Sequence, residues 1–284
     1  MRSKALRAAV ARTSCLALVV VALAPGCSEG TGSGTVCGTL DVPMCWTGAF
    51  NLQPDFFAAI PTQSSDSLQI RVQNGGNFES FSDGVEFLID DVAAVQLGQT
   101  LPVSLPVGVA APGVPIVANP NPSIVHATLY LQQTCRTQNV ALYALSAVTL
   151  AADGSCGETG AASLPAACSD LTTGSLDAGD ATTKTGPSAD AATGDAGDAG
   201  TASATVATGP IGMSTIVFSD LFDGNPNESD ASKRLTDVPH FDLYFADPRD
   251  IAPGGLGPPP PCLAHLEGSF SFYFEIGSPE QPFP

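Results

Sequence analysis

The chain has 284 residues, with 10 Lys and Arg against 28 Asp and Glu, a formal charge of -18, and only 13% charged residues. Phosphate neutralisation needs clustered Lys and Arg, so nucleic acid is excluded as a partner, and so is docking of a basic patch on anionic lipid. The 29 Gly and 24 Pro suit short strands and turns, and three His leave few residues for metal or acid–base work.

The first element in chain order is an address. Arg2, Lys4, Arg7 and Arg12 precede an apolar stretch from Cys15 to Ala24. That stretch has the length of a secretory h-region and is too short for a bilayer span of about 20 residues. Leu23-Ala24-Pro25-Gly26-Cys27 follows. These residues resemble the lipobox of bacterial lipoproteins, in which a small residue precedes a Cys that is acylated and becomes the mature N-terminus. The resemblance covers the leader alone, and Ala24 stands where such families usually place Leu. Cleavage after Ala22-Leu23-Ala24 is the alternative, but it would leave Pro25 first, which leader peptidases generally refuse. The resemblance implies a signal peptide over 1–26, a lipid anchor at Cys27 as the contact with the membrane, and, with Ser28 next, the outer membrane. With the Asp-Ala-Gly-rich segment further on, the leader is also similar to predicted lipoproteins of high-GC bacteria such as myxobacteria, whose resemblance implies no activity.

Six Cys remain beyond Cys15 and Cys27: Cys37, Cys45, Cys135, Cys156, Cys168 and Cys262. An even number in an exported chain reads as three disulfides, with free thiols as the alternative. A Cys37–Cys45 bridge is expected, because Asp41-Val42-Pro43 can turn the chain between them. Zinc is not expected: no C-x-x-C occurs and no His lies near the Cys set at ligand spacing.

Residues 27–36 read as a flexible tether. Gly30, Gly32 and Gly34 carry no phosphate-loop meaning, since no strand precedes them and no helix pattern follows. Between Thr172 and Gly209, 34 of 38 residues are Ala, Thr, Gly, Ser or Asp. Such a segment buries too little apolar surface to offset its ordering entropy and reads as a disordered insertion.

Elsewhere the signal is period-two alternation. It runs through 67–73, 85–89 and 125–131, with an apolar run over 140–150, and resumes at 216–218, 241–245 and 269–276. Leu101 to Val107 alternates too, but Pro102 and Pro106 confine it to an edge. About nine short strands predict an all-β fold, a two-sheet β-sandwich or jelly roll spanning 37–284 and interrupted by the insertion. Two small domains are the alternative.

Chemistry is sparsely signalled. Gly212-Met213-Ser214-Thr215-Ile216 fails as a nucleophile elbow at its second glycine. His126 lies on the polar side of a strand, and His240 and His265 have no motif around them. Asp90 and Asp91 are adjacent, so they point apart. Asp242, Asp247 and Asp250 cluster in sequence, but Asp247-Pro248-Arg249-Asp250 reads as a turn with a local ion pair. Asp223, Asn225 and Asn227 occupy the first ligand positions of an EF-hand-like loop, which then fails at Glu228 and Arg234. They make a weak Ca²⁺ candidate, and no other cofactor or metal is expected. Tyr130, Tyr244 and Tyr273 fall on polar strand faces and could form a ligand platform if their strands share a sheet. Trp46, beside Cys45, is expected to pack over a disulfide.

The expectation is a non-enzymatic envelope or cell-surface lipoprotein that serves a structural role or binds protein or matrix. The alternatives are a carbohydrate-binding β-sandwich and a secreted hydrolase. The charge resides mainly outside the insertion: residues 27–171 hold 12 acids and 2 bases, and residues 210–284 hold 11 and 3.

Overall fold

The computed structural model describes residues 32–61, 66–75, 82–105, 123–138, 140–157, 209–225, 227–251 and 257–275. The leader with Cys27, Cys168, Pro106, Val107, Ile276 and all of the expected insertion but Gly209 lie outside them. The described chain is all-β, with no helix long and apolar enough to cross a membrane among the described residues.

Thirteen strands form among the described residues: β1 (Gly32–Val42), β2 (Trp46–Leu52), β3 (Phe56–Pro61), β4 (Leu68–Asn74), β5 (Asp83–Ile89), β6 (Thr100–Pro102), β7 (Val125–Leu131), β8 (Val140–Ala144), β9 (Val148–Thr149), β10 (Ile211–Gly212), β11 (Thr215–Val217), β12 (Leu235–Ala246) and β13 (Ala264–Tyr273). Eleven belong to one antiparallel sheet in the order β2-β1-β13-β12-β8-β7-β5-β4-β3, with β11 on β12 and β6 on β11. The other two, β9 and β10, pair with each other.

The expected two layers are therefore halves of a single sheet folded over on itself. β12 is the corner. One edge pairs with β13, while the other is shared between β11, opposite His240 to Asp242, and β8, opposite Phe245 and Ala246. β6 extends the β11 branch, and Val103 then bridges Val125 of β7. Phenylalanines cross between the halves. Phe87 of β5 lies 5.6 Å from Phe241 and 5.5 Å from Phe270, and Phe57 of β3 stacks on Phe272 at 5.8 Å. Such ring pairs add about 0.5–1.5 kcal/mol each beyond their burial.

Alternation sets the inward set as expected. Leu68, Ile70 and Val72, then Val85, Phe87 and Ile89, then Val125, Leu129 and Leu131 are fully buried, as are Phe270 and Phe272. The Pro-containing Leu101 segment is an edge strand, since β6 pairs with β11 alone. Pro239, which cannot donate to a ladder, sits where the β12–β13 register shifts between Val238 and Phe241.

Two expectations are corrected. Residues 32–36 are not tether: they begin β1, which pairs with β13 from Gly32↔Phe272 onward. Their glycines permit close approach, because a Cβ on Gly34 would stand 2.8 Å from the Phe270 Cβ, and one on Gly32 would stand 2.8 Å from the Phe57 ring. Nor does Cys37 pair with Cys45. Cys45 bridges Cys135 across a Cα separation of 5.2 Å, and Cys156 bridges Cys262 at 4.8 Å. Cys37, itself buried and disulfide-bonded, lies mid-strand in β1 in register with Asn51 and Glu267, whereas Cys45 lies in the turn beyond the β1 end and is already paired with Cys135.

Candidate functional site

The β1–β2 hairpin turns through Pro43, Met44 and Cys45. Met44 is held at φ 61°, a left-handed conformation rare for a non-glycine residue, and its side chain is 91% exposed. Trp46 follows at 44% exposure, its indole N–H donating to the Ala49 carbonyl at 3.2 Å. The Cys45–Cys135 disulfide ties this hairpin to the turn that follows β7. That turn is in turn held by Asp83 at the start of β5. Its carboxylate accepts from the backbone N–H of Gln133 (2.8 Å) and Thr134 (3.1 Å) and from the Thr134 hydroxyl (2.6 Å).

Between these parts lies a cleft of about 290 Å³, bounded by Trp46, Asn51, Asn74, Asp83, Gln133 and Thr134 with apolar residues of β2. Edge strand β2 forms one wall, and the ends of β4 and β5 with the β7 turn form the other. The Asn74 amide donates to the Gln53 carbonyl at 2.9 Å, which fixes one rim. The cleft is lined by the Trp46 indole and by the carboxamides of Asn51, Asn74 and Gln133, while the Asp83 carboxylate, the Thr134 hydroxyl and the Asn74 amide N–H are engaged in holding its walls. Sequence reading found Trp46 but gave it a packing role; the other residues carry no motif and meet only through topology.

The three tyrosines do not make a platform. Tyr244 pairs in register with His265, and Tyr273 pairs with Leu235, so they stand about 26 Å apart along β13 at roughly 3.3 Å per residue. Tyr273 is exposed, whereas Tyr244 lies against Gly212 of β10, where a Cβ would come within 2.6 Å of its ring. Tyr130 sits on β7 with Arg71 over its ring at 5.7 Å. Burial, reinforced by Glu86 and Tyr143, pushes the Tyr130 phenol up to about 12. Burial, reinforced by Asp242 and Glu267, does the same to Tyr244, also to about 12.

Arg71 is the main departure from alternation. It points away from the Phe-lined interior yet is only 5% exposed, 3.3 Å from Glu86, and its guanidinium donates to the Gln73 side-chain Oε1 at 3.5 Å. Burial pulls its pKa down to about 10 against the opposing pull of Glu86.

His126 is also buried. Its Nδ1 lies 2.7 Å from the Ser104 carbonyl and its Nε2 3.0 Å from Asp90 Oδ2, so both ring nitrogens face acceptors. Asp91 points elsewhere, capping the 3-10 turn at Val92–Ala94 through the Ala93 and Ala94 N–H groups. Asp247 and Arg249 form the expected local ion pair, and the Asp247 carboxyl is held below the usual carboxylate range by its bonds to Arg249.

In the Asp223 loop the side-chain oxygens cap nearby backbone. Asp223 accepts from the Asn225 N–H at 2.9 Å, Asn225 from the Asn227 N–H at 3.1 Å, and Glu228 from the Asp230 N–H at 2.8 Å.

One further cluster emerges on the outward side of the β12–β13 pair. His265 Nε2 lies 2.7 Å from Asp242 Oδ1 and 3.5 Å from Glu267 Oε1. The imidazole stacks on Tyr244 with ring centres 4.2 Å apart and planes 8° from parallel. Sequence spacing conceals this group, since Asp242 and His265 are 23 residues apart and meet only through the β12–β13 register.

No protein-family model matches the chain, and neither a curated protein nor a solved structure is significantly similar to it.

Proposed function

We propose that this chain is a lipid-anchored, non-enzymatic binding module of the bacterial envelope, acylated at Cys27 and facing outward from the outer membrane. The cleft at Trp46 carries the reading. An exposed indole beside the carboxamides of Asn51 and Gln133 suits apolar contact with one face of a ligand and neutral hydrogen bonds at its edge. Asp83, the carboxylate in its wall, holds three hydrogen bonds within the turn and is committed to architecture rather than to proton transfer. The Cys45–Cys135 and Cys156–Cys262 disulfides support an oxidising compartment.

The ligand class that fits this lining is a neutral oligosaccharide, whose ring faces stack on indole and whose hydroxyls pair with amides. The formal charge of -18 disfavours acidic polysaccharides and acidic protein surfaces. The test is a glycan array probed with the mature chain. Binding of neutral glycans that W46A loses and N51A weakens supports the reading. Glycan signals equal in parent and W46A, or no signal, overturn the sugar assignment. The anchor is tested separately: Cys27→Ser abolishes incorporation of radiolabelled palmitate, and persisting label contradicts it.

A further inference from the structure

We propose that Asp242, His265 and Glu267 form a binding site for one first-row divalent cation, with Zn²⁺ as the probe, on the outward side of β12 and β13. The three offer one imidazole nitrogen and two carboxylate oxygens, and these donor atoms all lie within 4.8 Å of one another. A tetrahedral Zn²⁺ holds such ligands at about 2.0–2.2 Å, which places donors about 3.3 Å apart. His265 Nε2 stands at 2.7 and 3.5 Å from the two oxygens, so small rotations of the carboxylates bring all three to that spacing.

The strand register supplies the second argument. Asp242 and Glu267 are direct cross-strand partners. Like charges directly opposite each other destabilise a sheet, so the pair calls for a cation between them. Two carboxylates and a neutral imidazole also balance the charge of a divalent ion. A mixed nitrogen and oxygen set favours transition metals over Ca²⁺, which prefers oxygen alone.

Pre-organisation supplies the third. The Tyr244 ring fixes the imidazole plane by stacking, with Gly212 packed behind that tyrosine. Thr39 and Cys37 of β1 flank His265 and Glu267 in register, and Thr215 of β11 flanks Asp242. The three ligand residues are partly exposed, with side-chain exposures of 25 to 31%, so an ion can enter from solvent.

The experiment is calorimetric titration of the full mature chain with Zn²⁺, repeated with Ca²⁺, on the parent and on H265A, D242N, E267Q and D223N. Folding is checked in each by Trp46 fluorescence through a urea transition. One equivalent of Zn²⁺ is expected, weakened at least tenfold in H265A, D242N and E267Q and unchanged in D223N, with Ca²⁺ far weaker. Replacing Zn²⁺ by Co²⁺ should give visible d–d absorption that the same three variants lose. Absence of Zn²⁺ binding, Zn²⁺ binding that persists in the folded D242N and E267Q variants, or a site that prefers Ca²⁺ overturns the proposal. The Trp46 cleft shares no residue with this cluster, so failure here leaves the glycan reading to its own test.

Discussion

Arg71 and Glu86 are a pair whose worth lies in what happens when one is lost. A buried guanidinium without its carboxylate keeps its desolvation cost and loses its compensation. Glu86→Leu is therefore expected to cost about 3 kcal/mol in urea unfolding, and the R71M/E86L double variant to recover much of that loss. An additive double variant would show that the pair is not coupled. Tyr244 makes a pH prediction. Its folded pKa of about 12 lies above the ordinary value of 10.0, so the folded state holds a proton that the unfolded chain gives up first. Its contribution is intact below pH 10 and is lost as pH rises towards 12. The difference in stability between parent and Y244F should shift over that window in favour of Y244F. A constant difference from pH 9 to 12 would contradict the assignment.

At the scale of elements, Gly38 has the least room of the described glycines. A Cβ there would stand 1.8 Å from the His265 carbonyl oxygen, on the backbone of the neighbouring strand. Gly38→Ala must push β1 off β13 and is expected to cost about 2–3 kcal/mol, measured by urea midpoint. A neutral G38A would mean that β1 does not pair as described. The same glycines explain what was legible. β4, β5, β7 and β13 announce themselves because large apolar residues alternate with polar ones. In β1 the inward position at Gly38 has no side chain, and in β3 Phe56 and Phe57 are adjacent and both buried, so neither strand shows the period. The Asp247–Arg249 turn was legible because it closes within three residues. The Asp242, His265 and Glu267 cluster and the Trp46 cleft were not, because register and folding over of the sheet, not spacing, bring their residues together.

Over the whole molecule, the chain's second half completes the first. β12 and β13 lie between β1 and β8 in the sheet order, so residues beyond 209 hold both halves together. The disulfides reinforce this at long range, with 90 residues between Cys45 and Cys135 and 106 between Cys156 and Cys262. Chain entropy assigns loops of that size about 4–5 kcal/mol each. Replacing Cys156 and Cys262 together with Ser should therefore lower the melting temperature markedly, and an unchanged melting temperature would contradict the linkage.

Trp46 is the one tryptophan of the chain, which lets the cleft report on itself. The decisive measurement is an intrinsic-fluorescence titration of the mature chain with neutral oligosaccharides. The account predicts a saturable change in Trp46 emission that N51A weakens. Emission that stays constant through the titration, while the protein remains folded, would contradict it.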